Sequence, residues 1–153
     1  MLARFSIRRM RAKDLDRILE IEHLSFGKDA YDRKLFADFH HKCGELFLIA
    51  ARGRNVCGYM VTCVGGRTAS PHAELVSIAV SPGERRKGVA SALMASTLRR
   101  LRRRGIAGFH LMVRKTNRAA IRLYEGYGFR KSRIVERYYE DGADGWRMKK
   151  RLQ

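Results

Sequence analysis

Acidic residues and cysteine are scarce in this chain, and it has no long apolar run. Asp and Glu together number 15 against 33 for Lys and Arg, which leaves a formal net charge of +18. The three cysteines, Cys43, Cys57 and Cys63, show no CxxC spacing and no histidine pairing that would suggest a zinc site. They argue against a zinc site and predict reduced thiols in the core. The longest clean apolar run, 46–51, is far shorter than the roughly 18 residues that cross a bilayer, so we expect no transmembrane helix.

The remaining composition is that of a folded basic domain. With 153 residues and 45% hydrophobic content, the chain predicts a single domain spanning 1–153 and excludes a disordered basic tail. A surface this positive attracts polyanions such as nucleic acid, an acidic peptide or a phosphate-bearing cofactor, although solubility alone also explains the charge. The segment 1–11 lacks acids but alternates like a strand, so we interpret it as mature protein and not as a signal peptide.

Hydrophobic periodicity and turn residues divide the chain into strands and helices. The predicted order is β-α-α-β-β-β-α-β-α-β-β, which indicates an α/β domain with a mixed sheet. A loop is expected at 64–71, and the turn residues 141–145 predict a closing hairpin. The predicted strands are 5–10, 46–51, 56–63, 74–80, 109–113, 129–139 and 146–152, and the predicted helices are 14–26, 31–42, 89–101 and 117–127.

A tight basic loop separates the predicted strand 74–80 from the helix that follows it. The loop contains the three cations at 85–87, then Gly88 and Ala90, whose small size lets phosphate oxygens approach the backbone. The unpaired amides and the positive dipole end of a helix N-terminus attract anions. The loop is therefore a candidate site for a diphosphate, although a basic loop that only caps the helix gives the same pattern.

Two motifs in this half of the chain resemble those of the GNAT N-acetyltransferase superfamily. Arg85-x-x-Gly88-x-Ala90 matches the Gln/Arg-x-x-Gly-x-Gly/Ala loop that binds acetyl-CoA. The segment 111–129 is similar to the LxVRxxNxxAIxLYxxxGF signature of the ribosomal-protein-alanine and N-terminal (RimI-like) acetyltransferase branch. The predicted order of elements is also that of the family. The resemblance implies the single-domain GNAT fold, with a mixed, mostly antiparallel central sheet and helices on both faces.

The resemblance also implies acetyl-CoA as co-substrate, with no metal, and assigns residues to its binding. In similar proteins the strand matching 78–80 offers backbone groups to the pantetheine arm, and the loop matching 85–91 holds the pyrophosphate. Asn117 matches an asparagine that contacts the cofactor; from sequence alone a plain helix cap is the simpler explanation, and it is compatible with binding. The implied cofactor-binding residues are Ile78, Ala79, Val80, Arg85, Arg86, Lys87, Gly88, Val89, Ala90, Ser91 and Asn117.

Acetyl transfer from a thioester to an amine needs a base for the amine and a donor for the departing thiolate. In several GNAT enzymes the base matches Glu74, eleven residues before Arg85, and a tyrosine matching Tyr124 meets the thiolate. The resemblance therefore implies Glu74 and Tyr124 as catalytic residues; a solvated strand-end glutamate and a packing tyrosine are the alternatives. The ribosomal-protein type usually has a glutamate base where this chain has Met112, which leaves Glu74 or a bound water as the base.

Aromatic residues at two places match the walls of the peptide groove in N-terminal acetyltransferases. They are Phe26 and Tyr31 between the first two helices, and Tyr138 and Tyr139 in the closing hairpin; ordinary strand aromatics are the alternative. The resemblance therefore implies a cytoplasmic, acetyl-CoA-dependent N-acetyltransferase that acts on the N-terminal α-amine of a protein or peptide. Two alternatives stay open, namely a GNAT enzyme for a small-molecule amine or a lysine side chain, and a non-enzymatic nucleic-acid- or ribosome-binding module.

The densest basic cluster straddles the predicted end of the helix 89–101. A solvated helix terminus explains such a cluster, and docking to the ribosome or another polyanion is the sharper hypothesis. No membrane partner is expected. The cluster comprises Arg99, Arg100, Arg102, Arg103 and Arg104.

Overall fold

The computed structural model describes residues 5–65 and 71–152, and their elements follow the predicted order. Most of the predicted loop at 64–71 lies outside the described residues. Within these two ranges, no helix is long and apolar enough to cross a membrane. The strands are β1 (Ser6–Arg9), β2 (Phe47–Arg52), β3 (Asn55–Gly65), β4 (His72–Val80), β5 (Gly108–Arg114), β6 (Arg130–Val135) and β7 (Gly145–Arg151), and the helices are α1 (Leu15–Phe26), α2 (Arg33–Cys43), α3 (Val89–Arg103) and α4 (Arg118–Gly126).

The strands pair in the order β1-β2-β3-β4-β5-β7-β6. The pairs β1–β2, β2–β3, β5–β7 and β6–β7 are antiparallel and β4–β5 is parallel, which confirms the mixed, mostly antiparallel sheet. The chain divides into two compact units, and β4 contributes residues to both. Unit 1 comprises Met1–Cys63 and Val76–Arg100, and unit 2 comprises Val64–Leu75 and Leu101–Gln153. The single domain expected over 1–153 stays a prediction.

Unit 1 is built around aromatic and branched aliphatic side chains. The first five residues of β2 are all buried, as expected for a continuous apolar run covered on both faces. Phe36 of α2 packs edge-to-face on Tyr59 of β3, with 5.7 Å between the ring centroids. Ile18 and Ile21 of α1 are fully buried in the same cluster. This core fixes α1 and α2 against the strands that precede the basic loop.

Strand β5 of unit 2 has one packed face and one open face. Burial alternates along β5, where Phe109, Leu111 and Val113 are buried and the residues between them are half-buried. On the packed face, Phe109 contacts Phe129, with ring centroids 5.2 Å apart. Because neighbouring side chains of a strand point to opposite faces, His110 and Met112 lie on the open face.

Element boundaries differ from the predicted ones where side chains redirect the backbone. Helix α2 begins at Arg33, two residues later than predicted, because the Asp32 side chain accepts a hydrogen bond from the Leu35 amide at 2.9 Å and caps the helix. Strand β6 ends at Val135, well before the predicted 139. Arg137 there has a φ of 53°, and its amide donates to the Asp144 carboxylate at 3.0 Å.

The expectation of three reduced thiols is wrong for two of the cysteines. Cys43 and Cys63 form a disulfide across a sequence separation of 20 residues, and their Cα atoms are 5.2 Å apart. Cys57 is a free, buried thiol. The end of α2 and the far part of β3 meet only in the folded chain, so their proximity could not be inferred from cysteine spacing.

Candidate active site

The C-terminal part of β4 provides the backbone that the sequence assigns to the pantetheine arm. The pairing of β4 with β5 ends at Glu74 and His110, so it does not use the backbone of residues 78–80. The backbone of β3 lies close to this part of β4. A Cβ atom added to Gly58 of β3 would be 2.9 Å from the Ala79 carbonyl oxygen. Ile78 and Ala79 are buried, and Val80 is half-buried.

The loop between β4 and α3 is basic, exposed and tightly turned. Arg85, Arg86 and Lys87 are all exposed. Arg86 and Gly88 have φ values of 63° and 82°, in the left-handed region that turns the chain sharply into the helix. The Arg85 side chain is held back toward the strand, because its Nε donates to the Val80 carbonyl at 3.2 Å.

The loop and the first turn of α3 together suit an anion. Space around the Gly88 Cα is open, with no other atom within 4 Å of an added Cβ. The helix begins with a hydrogen bond from the Ala92 amide to the Gly88 carbonyl at 3.0 Å, and the amides of a first helical turn have no intrahelical acceptor. Lys87 lies 3.7 Å from Glu84, which also binds Arg52. Arg85 and Arg86 therefore supply most of the free positive charge, and the site fits a diphosphate.

Asn117 caps α4, as its position before the helix predicts. Its Oδ1 accepts a hydrogen bond from the Ala120 amide at 3.1 Å. The residue is exposed, so the cap leaves its side-chain NH₂ at the surface. Contact with the cofactor stays a prediction for this residue.

Glu74 lies on the open face of unit 2, beside a histidine that the sequence analysis did not select. Its Oε2 is 3.9 Å from Nε2 of His110, its directly paired neighbour on β5. Burial raises the pKa of Glu74, although Arg147 and His72 act to lower it. Burial, reinforced by Arg147, His72 and Lys149, lowers the pKa of His110 to about 4. At neutral pH the pair is therefore a carboxyl group of raised basicity beside a neutral imidazole.

His110 could have been found from the strand pattern. It occupies the first outward-pointing position of a strand whose alternate residues are apolar, and parallel pairing of β4 with β5 makes it the neighbour of Glu74. Sequence gives the alternation but not the register, which is why the pair was missed.

Tyr124 lies on α4, where its side chain is half-buried. Its ring packs edge-to-face on Phe129, with centroids 6.1 Å apart. Burial, with a smaller contribution from Tyr127, raises the pKa of Tyr124 to about 12. Its phenol therefore stays protonated at physiological pH and is available as a hydrogen-bond donor. No hydrogen bond, ion pair or ring contact within the described part of the chain joins it to Glu74.

Tyr138 and Tyr139 lie in the turn between β6 and β7, on the same open face as Glu74. A Cβ atom added to Gly145 would lie 2.9 Å from Met112, 3.3 Å from Tyr139 and 3.5 Å from Tyr138. Burial and the neighbouring charge of Glu74 both raise the pKa of Tyr138. The structure therefore brings Glu74, Met112 and the two tyrosines together. Met112 is half-buried there and supplies no ionisable group.

Phe26 and Tyr31 flank the short turn between α1 and α2 in unit 1. Phe26 is 37% exposed and Tyr31 36% exposed, so both present aromatic surface to solvent. The Tyr31 ring packs edge-to-face on Phe39, with centroids 5.6 Å apart. The Tyr31 amide donates to the buried Glu22 carboxylate at 2.9 Å. Their role in binding an acceptor stays a prediction.

A cavity of about 1000 Å³ in unit 1 borders the basic loop, because Ser81, Gly83 and Glu84 are among the residues that line it. It is lined by polar and basic side chains of β1, α1 and the β2–β3 turn, including Arg11, Arg17 and Arg54, and by none of the predicted site residues. Within the described residues, no group of three His, Cys, Asp or Glu side chains is placed to hold a metal ion.

Comparison with known proteins gives consistent matches over most of the chain. The family model described as Acetyltransferase (GNAT) family matches residues 12–129. An N-alpha-acetyltransferase of Saccharolobus solfataricus is 29% identical over 157 aligned residues, covering 97% of this chain and 93% of that protein. The [Ribosomal protein bS18]-alanine N-acetyltransferase of Escherichia coli K12 is 43% identical over 67 residues, 44% of this chain and 45% of that one. The crystal structure of Ard1 from Thermoplasma volcanium matches with a TM-score of 0.90 at 30% identity, covering 97% and 98% of the two chains.

Proposed function

Because this chain belongs to the GNAT family of acetyltransferases, which take their acetyl group from acetyl-CoA, we propose that it acetylates the N-terminal α-amine of a protein or peptide. The observation that carries the proposal is the open face of unit 2, where a glutamate of raised pKa lies beside two tyrosines. A similar N-alpha-acetyltransferase that aligns over nearly the whole chain supports this class of acceptor.

Glu74 is the best candidate for the base. The α-amine of a peptide has a pKa near 8 and is mostly protonated at neutral pH, so it needs a proton acceptor before it can attack a thioester. Burial raises the basicity of Glu74, whereas the pKa of about 4 makes neutral His110 a weak base. Met112 cannot ionise, so the position that usually holds the base in the ribosomal-protein type is unavailable for it. A water molecule between the amine and Glu74 would serve the same route.

Tyr124 is assigned to the leaving group. Acetyl-CoA supplies an activated acetyl thioester, and a thiolate develops as the acetyl group leaves it. A phenol with a pKa of about 12 does not ionise to protonate that sulfur fully, but it donates a hydrogen bond to the developing negative charge in an apolar surrounding, where such a bond is strong.

The remaining site residues are assigned to binding. The backbone of residues 78–80 holds the pantetheine arm, and residues 85–91 hold the diphosphate through the helix amides and the guanidinium groups of Arg85 and Arg86. The hydroxyl groups of Tyr138 and Tyr139 are assigned to bond the acceptor backbone beside Glu74. Phe26 and Tyr31 are assigned to the side chain of its first residue.

The proposal is tested by measuring the transfer of radiolabel from acetyl-CoA to three kinds of acceptor. These are a peptide with a free α-amine, a peptide whose α-amine is blocked but which has a free lysine, and a small polyamine. We expect acetylation of a peptide with a free α-amine, and we expect little when that amine is blocked and only a lysine side chain is free. Mass spectrometry of the product identifies the modified nitrogen. Preference for the blocked lysine peptide or for small polyamines would overturn the proposal and favour the side-chain or small-molecule alternative.

A further inference from the structure

We propose that the open face of unit 2 selects acceptors with acidic residues shortly after their N-terminus. This inference rests on the proposed function and adds the class of substrate. The basic strip consists of five cations of β6 and β7 that share this face: Arg130, Arg133, Arg147, Lys149 and Arg151.

Strand register places the basic strip on the same face as the candidate base. Glu74 pairs with His110, which pairs with Lys149, which in turn pairs with Arg130. Directly paired residues of neighbouring strands point to the same side of a sheet. The same rule applies to the next row, in which Met112, Arg147 and Arg133 are aligned.

The cations of the basic strip are available to a ligand. Arg130, Arg133, Lys149 and Arg151 are exposed, and Arg147 is half-buried. Within the described part of the chain, none of the five forms a salt bridge with an acid.

Two further observations show uncompensated positive charge on this face. The Nε atom of Arg147 is buried without a hydrogen-bond partner. Arg147 and Lys149 both act to lower the pKa of His110, which places their positive charge near the Glu74–His110 pair.

The nearby acids do not neutralise the basic strip. The β6–β7 turn contains Glu136, Glu140, Asp141 and Asp144. Asp141 binds Arg114, and Asp144 accepts from the Arg137 amide, so these two are engaged within the turn. On the opposite face, the only cation of β6 is Lys131, whose Nζ lies 5.0 Å from the centre of the Trp146 ring.

The spacing of strands predicts which acceptor residues meet the basic strip. Neighbouring strands are about 4.8 Å apart, so β7 and β6 lie about 10 and 14 Å from β4 across the sheet. An extended peptide advances about 3.3 Å per residue. An acceptor with its amine at Glu74 and its chain running across the strands therefore places residues at about positions four and five over the cations. Glutamate and aspartate are the side chains that suit these positions.

The test uses peptides that differ only at positions four and five, with Asp and Glu in one, Asn and Gln in the second and Lys in the third. Exposed ion pairs contribute little each, so we expect the KM of the wild-type enzyme to be about threefold to tenfold lower for the acidic peptide than for the neutral one, with kcat similar. The difference should shrink when ionic strength is raised from about 0.05 to 0.5 M, because salt screens exposed charges.

Charge-neutralising variants locate the effect. Arg133→Gln combined with Lys149→Gln should raise the KM for the acidic peptide and leave that for the neutral peptide within about twofold. The matched control removes two exposed cations elsewhere, Arg99→Gln with Arg103→Gln on α3, and should leave the preference intact.

The outcomes separate the two proposals. Equal acetylation of all three peptides, or a preference that survives Arg133→Gln with Lys149→Gln, overturns the acidic acceptor but leaves α-amine acetylation standing. Failure of every α-amine peptide, with acetyl-CoA still bound, overturns both. Tight binding of an RNA oligonucleotide that is lost in the same double variant, without any peptide preference, assigns the basic strip to nucleic acid and also overturns the acidic acceptor.

Discussion

At the scale of single residues, burial decides what the ionisable side chains of this site can do. It raises the pKa of Glu74 and of Tyr124, and it lowers that of His110. The same cause thus produces a stronger base, a phenol that stays protonated and an imidazole that stays neutral. The separation of these roles comes from environment and not from residue type.

Tyr124→Phe tests the hydroxyl assigned to the leaving thiolate. Because the phenol bonds charge that develops only during transfer, we expect kcat to fall about 100-fold, while acetyl-CoA affinity changes by less than about twofold. Steady-state kinetics and calorimetric titration measure the two quantities. Tyr127→Phe is the control, and full activity of Tyr124→Phe would remove this hydroxyl from the mechanism.

Glu74→Gln tests the base through the pH profile. At pH 7 we expect kcat/KM to fall about 100-fold, because the amide accepts no proton. The deficit should narrow as pH rises above about 8, where the acceptor amine loses its proton unaided. Glu136→Gln, in the exposed turn, should behave like wild type. A constant deficit across the pH range would show that Glu74 acts by binding and not as a base.

At the scale of elements, a buried carboxylate ties four segments of unit 1 together. Glu22 of α1 accepts hydrogen bonds from Tyr59 of β3, from Ser77 of β4 at 2.8 Å, and from the Tyr31 amide before α2 at 2.9 Å. Glu22 is only 1% exposed. A buried acid is tolerated there because every donor around it is directed at its two oxygens.

Glu22→Ala removes this acceptor and leaves three donors without it. Since a buried unsatisfied polar group costs about 1–3 kcal/mol, we expect a loss of about 3 kcal/mol or more in the free energy of unfolding. Urea denaturation measures it. Glu20→Ala, two residues earlier on the exposed side of α1, should change stability by less than about 0.5 kcal/mol. Equal effects of the two substitutions would refute the role given to Glu22.

The Cys43–Cys63 disulfide joins the end of α2 to β3. A cross-link that closes a loop of this length stabilises a protein by about 3 kcal/mol, chiefly by restricting the unfolded chain. We therefore expect dithiothreitol to lower the urea midpoint of the wild type. The double variant Cys43→Ser with Cys63→Ser should start lower and show no response to the reductant. If dithiothreitol left the urea midpoint of the wild type unchanged, the disulfide would not be formed in solution.

At the scale of the whole molecule, the net charge of +18 dominates. Docking of the Arg99–Arg104 cluster to a ribosome or another polyanion stays a prediction. Arg102 of this cluster is engaged, because its Nε donates to the Leu152 carbonyl at 3.3 Å. Arg99 and Arg103 are exposed. Solvent exposure at a helix end is compatible with docking and with simple solvation alike.

Acid should destabilise the protein. The pKa of His110 is lower in the folded chain, at about 4, than its ordinary 6.5, so the unfolded state binds the extra proton and stability is lost as pH falls through this window. The full effect is about 3 kcal/mol. Burial acts to raise the pKa of Asp14, but Arg8 and the Arg11 amide hold that pKa below its usual range. Protonation of Asp14 at lower pH therefore costs further folding stability.

Urea denaturation at pH 7 and pH 4.5 measures this loss. His110→Gln should reduce the difference between the two pH values, since glutamine does not titrate. An unchanged difference would assign acid sensitivity to other groups, including general repulsion among the 33 Lys and Arg residues.

The sequence by itself determined the order of elements, the family and the basic loop. Each depends on local information: apolar periodicity, the Asn117 cap, and the Arg85-x-x-Gly88-x-Ala90 spacing that produces a turn before a helix. These signals are read within a few residues of chain, so they do not depend on how distant segments meet.

Only the tertiary structure decided which distant side chains became neighbours. The pairing of Glu74 with His110 and the alignment of the basic strip follow from strand register. The Cys43–Cys63 bond depends in the same way on how α2 packs beside β3. The turn that holds Tyr138 was predicted as strand, but β6 ends before it, where the Arg137 amide donates a hydrogen bond to the Asp144 carboxylate. Long-range contacts leave no local pattern, and a shift of register by one residue would have turned each of these side chains to the other face.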